Sequence, residues 1–174
     1  WLLLAQDVPG ITVQAVLQPS SEEPGALTLV AKVSRRAWAA LLTADNRGFR
    51  LTGPEQALLV IDAQSFTSLG ERSEVSLYGA ARGTQVFGQA STEVFVGGSG
   101  LKVRLYAGSG TADPSGALRS EDYHGITTVA GVEAMYPLIR ARSQTLTLSG
   151  YFDILQSEIQ TFGQTASRDD LRVV

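Results

Sequence analysis

Between Thr145 and Ile154 the chain alternates residue by residue. Leu146, Leu148, Gly150, Phe152 and Ile154 hold one parity, and Thr145, Thr147, Ser149, Tyr151 and Asp153 the other. Successive side chains of extended backbone point to opposite faces, so this stretch has one apolar and one polar face. The alternation lasts about ten residues, nearly twice a globular strand of about five or six. Roughly nine to eleven residues are what a tilted strand needs to cross a bilayer. The stretch from Thr127 reads as a partner strand, joined to it through Pro137-Leu138-Ile139-Arg140-Ala141-Arg142.

The rest of the chain repeats the pattern. Trp1 to Gln6 reads as the tail of a buried helix and Asp7-Val8-Pro9-Gly10 as a turn. Ile11 to Gln18 and Ala26 to Ser34 alternate as strands, with Leu27, Leu29, Ala31 and Val33 expected inward, around the loop Pro19 to Gly25. Arg35-Arg36 is the natural boundary of this small α+β unit. Longer strands follow at Ala37–Ala44, Gln56–Phe66, Ser73–Ala81, Val86–Val96 and Leu101–Ala107, and one more begins at Ser167. Turns are expected at Asp45-Asn46-Arg47-Gly48, around Leu69-Gly70-Glu71 and at Gly97-Gly98-Ser99-Gly100, and a long polar loop from Gly108 to His124. About eight strands with alternating short and long connections imply an up-and-down antiparallel sheet. Its edges are expected at Ala37–Ala44 and Ser167–Val174, open and unpaired with each other.

Composition narrows the function classes. Charged residues make up 18% of the 174 residues, below the roughly 25% of soluble domains, and the net charge is −3. Mild acidity argues against nucleic acid, which needs basic clusters. There are no cysteines and one histidine, so zinc lacks a ligand set. No apolar run is long enough for a transmembrane helix, but alternating strands escape that criterion.

Catalytic readings fail one by one, and neither an enzyme nor a cofactor is expected. His124, between Tyr123 and Gly125, reads as a solvated loop residue. Gly97-Gly98-Ser99-Gly100-Leu101-Lys102 and Gly108-Ser109-Gly110-Thr111 do not fit the phosphate-loop pattern and read as hairpin turns. Asp169 and Asp170 are neighbours in a strand and point to opposite faces, so they cannot pair. The charged residues of the polar parity are more informative. Lys102, Arg104, Arg140 and Arg142, with Glu93 and Glu133, are candidates to line a water-filled pore. The plain alternative is solvated positions near strand ends.

Several segments resemble the outer-membrane transporters of two-partner secretion, the haemolysin secretion/activation family. They are Leu42-Thr43-Ala44-Asp45-Asn46-Arg47-Gly48 with Thr52-Gly53, and Phe66-Thr67-Ser68-Leu69-Gly70-Glu71. Further ones are Tyr136-Pro137-Leu138-Ile139-Arg140-Ala141-Arg142, Leu146-Thr147-Leu148-Ser149-Gly150 and Ser167-Arg168-Asp169-Asp170-Leu171-Arg172-Val173. Ala141 stands where the family usually has Ser. The resemblance implies residues 1–35 as the end of a periplasmic polypeptide-transport-associated (POTRA) domain. It implies 36–174 as the first half, about eight of sixteen strands, of a transmembrane β-barrel. It further implies a bacterial outer-membrane location, contact with lipid, and export of a large secreted partner protein without a small-molecule substrate. The family's V-R-G-Y motif has no counterpart here. Two alternatives stand beside it: a self-contained eight-strand barrel acting as adhesin or ligand-binding module, and a soluble β-sandwich.

Overall fold

The computed structural model of the chain describes residues 2–20 and 25–174. It is mainly β, with antiparallel pairing throughout. Helix α1 (Leu2–Gln6) leads through a turn into the hairpin of β1 (Ile11–Pro19) and β2 (Leu27–Arg35). Eight further strands follow: β3 (Trp38–Asp45), β4 (Gln56–Gln64), β5 (Arg72–Ala80), β6 (Gln85–Val96), β7 (Leu101–Ala112), β8 (His124–Arg140), β9 (Thr145–Thr161) and β10 (Gln164–Val173). Each pairs with its sequence neighbours in one sheet. β3 and β10 are the two edges and do not pair with each other. The open sheet is therefore as expected. An eight-strand closed barrel, which needs those edges joined, does not form.

Turn chemistry sets the strand ends. The Asp45 carboxylate accepts from the Arg47 amide at 2.9 Å and from Gln56 Nε2 at 2.8 Å, closing the bend that ends β3. Phe162 and Gly163 both have positive φ, 52° and 71°, as a two-residue turn between twisted strands requires.

Some expected strand limits need correction. The join read at 137–142 is mostly strand: β8 runs through Pro137 to Arg140, and the turn occupies 141–144. Proline has no N–H to donate, and the ladder absorbs it with a bulge between Pro137 and Ile139 before Ile139↔Leu146 and Arg140↔Thr145 resume. Likewise β7 continues through Gly108-Ser109-Gly110-Thr111, which is neither loop nor hairpin turn. A Cβ at Gly108 would lie 3.0 Å from the Phe87 ring, and at Gly110 2.7 Å from it. Glycine here lets Phe87 of β6 lie across β7, a requirement invisible in a local turn reading.

The connections 65–71, 97–100 and 141–144 share one edge of the sheet, and 46–55, 81–84, 113–123 and 162–163 the other. The two longest lie on the second edge, but so does the two-residue turn, so loop lengths separate only partly. The N-terminal unit sits on the first edge. Ser65 Oγ donates to Pro9 O at 2.6 Å, Arg35 Nη1 to Ser65 O at 3.0 Å, and the Arg36 amide to Gly10 O at 2.8 Å. The half-buried residues of α1 include Leu4, which meets Gly100. Leu27, Leu29, Ala31 and Val33, expected inward, are exposed, since among the described elements β2 packs extensively on β1 alone.

Candidate functional site

The strand register assigns every residue of the large sheet to a face. From β9, the row Leu146, Leu148, Gly150, Phe152 and Ile154 pairs with Ile139, Tyr136, Ala134, Val132 and Ala130 of β8. It continues through Val103, Leu105 and Ala107 of β7 to Val94, Thr92 and Ala90 of β6. Val75 and Leu77 of β5, Ile61 and Leu59 of β4, and Ala40 and Leu42 of β3 complete it. Partners step up the strands: the row that starts at Trp38, first residue of β3, passes through Ala63, Ser73, Thr92, Leu105 and Val132. It ends at Phe152 in the middle of β9. The strands are thus progressively staggered across the sheet.

The two faces have inverted exposure. On the apolar face Leu42 is 71% and Leu148 60% exposed. On the polar face the side chains of Asp62 and Glu93 are only 12% and 16% exposed. Among the described residues a single apolar one, Ala80, is buried. A protein folding in water alone does the reverse, since burying apolar area is worth about 25 cal/mol per Å² and burying charge is costly. Among the described residues no second layer covers the apolar face.

The polar face is a charge lattice. Arg72, Glu93, Arg104 and Glu133 are consecutive register partners across β5, β6, β7 and β8, alternating in sign. Arg72 Nε also reaches Asp62 at 2.8 Å and its Nη2 reaches Glu74 at 2.9 Å. Lys102 lies 3.5 Å from Glu93, and Arg104 Nη2 donates to Ser91 Oγ at 3.4 Å. Arg72, Glu74, Glu93, Arg104 and Glu133 surround a polar hollow of about 160 Å³. Opposite charges directly across strands contribute roughly 0.2–1 kcal/mol a pair. Arg104 also stacks 5.5 Å from the Tyr106 ring centre.

Of the residues singled out from the sequence, Glu93, Lys102, Arg104 and Glu133 thus share one face and one cluster. Arg140 keeps the same face at the N-terminal edge, where its Nε and Nη2 hold both oxygens of Asp7 at 2.8 and 2.7 Å. That bidentate hydrogen bond, ahead of the bare charge attraction, keeps the Asp7 carboxyl below its usual range. Arg142 falls in the 141–144 turn, outside the lattice. Sequence reasoning missed Asp62, Arg72 and Glu74 as members. The available signal was their parity: Asp62 interrupts the apolar run Leu58-Leu59-Val60-Ile61 on the polar side.

His124 is not in a loop. It opens β8, and its Nδ1 lies 2.5 Å from Asp113 Oδ1. Asp169 and Asp170 pair with Ser157 and Gln156 and face opposite ways, as expected. No group of His, Cys, Asp and Glu among the described residues could hold a metal ion. No helix among them is long and apolar enough to cross a membrane. In the turn between β4 and β5, the Glu71 carboxylate accepts from the Thr67 hydroxyl and from the Phe66 and Thr67 amides. These bonds, the Thr67 hydroxyl first, lower its pKa. Comparison of the chain with protein-family models, curated proteins and solved structures gives no match.

Proposed function

We propose that this chain belongs to an outer-membrane translocator that exports a large partner protein by two-partner secretion. In this reading β3–β10 are half of a barrel whose apolar face meets lipid, and the N-terminal unit is the end of a periplasmic POTRA-like domain. The carrying observation is the inverted exposure: apolar rows lie open on one face while paired charges crowd the other. The lattice of Arg72, Glu93, Arg104 and Glu133 would then line the aqueous path. A mixed-sign wall suits passage of an unfolded chain, because it holds neither basic nor acidic segments strongly. The family-like segments supply the specific assignment to protein export.

The test is export itself. Disrupting the gene in its bacterium removes one large polypeptide from the medium, and a photo-crosslinker at Arg104 captures that same polypeptide in transit. An unchanged set of secreted proteins contradicts the assignment.

A further inference from the structure

We infer that Arg35 and Arg36, with Trp38 and Phe66, form a docking site for the headgroup of an anionic phospholipid at the N-terminal edge of the sheet. The inference rests on the membrane-spanning reading and adds a lipid class and a place to it.

Trp38 begins the apolar face at that edge and is 62% exposed. Its ring meets Phe66 edge-on, with centroids 5.3 Å apart. The Arg35 guanidinium lies 5.2 Å from the centre of the Phe66 ring and gives one N–H to Ser65 O. Its other donors have no protein acceptor among the described residues. Neither Arg35 nor Arg36 has a carboxylate within ion-pairing distance there, in contrast to Arg72, Lys102 and Arg140.

The combination is specific. An indole prefers the polar–apolar boundary of a bilayer, where its ring is solvated on one side and greasy on the other. A guanidinium presents a planar fork that matches two phosphate oxygens. Arg35 over the Phe66 ring, followed in the chain by Arg36, with no carboxylate paired to either among the described residues, complements a lipid with net negative charge at the rim of the face read as meeting acyl chains. A zwitterionic headgroup carries its own cation and gains less.

The test uses the chain with Trp1→Phe, which leaves Trp38 as the one indole, folded into vesicles of phosphatidylcholine with phosphatidylglycerol. Either lipid carries brominated acyl chains that quench indole fluorescence on contact. Quenching of Trp38 about threefold or more stronger by the brominated glycerol lipid at equal mole fraction is expected. Arg35→Gln with Arg36→Gln should bring the two lipids level, and Arg35→Lys with Arg36→Lys should retain the preference. High salt should weaken the preference in the unsubstituted chain, a readout independent of how the glutamine variant folds. Equal quenching by the two lipids overturns the headgroup site while leaving the spanning reading intact. A preference unchanged by the glutamines overturns the assignment to these arginines. No quenching by either lipid overturns the spanning reading, and the site with it.

Discussion

Tyr106 of β7 donates its hydroxyl hydrogen to Asp153 of β9, two strands away, by lying across Gly131 of β8. A Cβ at Gly131 would sit 2.5 Å from the tyrosine ring and against the aspartate. The glycine is thus a slot for an aromatic bar tying three strands together, as Gly108 and Gly110 are for Phe87. Gly131→Val should therefore be the most damaging single change on this face. Tyr106→Phe should cost less, about 1.5–3 kcal/mol for a lost bond to a charged acceptor. Urea unfolding in detergent micelles checks the order; a harmless valine would show that Tyr106 does not lie there.

The charge row predicts coupling. Arg104→Glu sets three like charges side by side, at positions 93, 104 and 133, and should destabilise the sheet. Adding Glu133→Arg restores alternation between strands β7 and β8. A double-mutant cycle on unfolding midpoints should give a coupling of about 0.5–3 kcal/mol, favourable in sign. Strict additivity would mean that the two side chains do not sense one another.

How much of this was legible beforehand follows from what each feature depends on. The long strands, their order and the two open edges follow from alternation and turn residues, which are local in sequence. Glu93, Lys102, Arg104 and Glu133 were found because they break otherwise apolar strands at one parity. The extension of β7 through Gly108 and Gly110 was missed because its cause, the Phe87 ring, lies on another strand. The same holds for His124, whose place in β8 depends on pairing with Gln160. Asp7 gave no sign of its role, since its partner Arg140 is 133 residues away in sequence.

The apolar rows make Leu148 a sensitive position. In a bilayer, Leu148→Arg should cost about 2–4 kcal/mol if the residue lies near the midplane. Since Leu148 is 60% exposed, the same change should be nearly neutral if water covers that face. Folding yield and unfolding midpoint in vesicles distinguish the two, with Thr147→Arg, on the opposite face, as control.

The Asp7–Arg140 contact predicts a pH effect on how the N-terminal unit is held. The carboxyl of Asp7 is lowered by Arg140 from an ordinary value of 3.8. A depressed carboxylate adds stability that is fully present above the ordinary value and is lost as pH falls through the lowered one. The unit should therefore stay docked from neutral pH down to about 4 and loosen only below that. Both Asp7 and Arg140 are about 30% exposed, so solvent screening keeps the effect modest. Distances between spin labels at Gln14 and Ser149, followed on acidification, check it. Asp7→Asn should show the loosened distribution at every pH.

The direction in which each face of β9 looks is measured most directly with single nitroxide labels at positions 145 to 154, in the chain reconstituted into vesicles. Collision with oxygen, which concentrates in lipid, should peak at 146, 148, 152 and 154. Collision with a water-soluble nickel chelate should peak at 145, 147, 149, 151 and 153. A nickel signal that is equally high at both parities would place water on the apolar rows and contradict the membrane-spanning account.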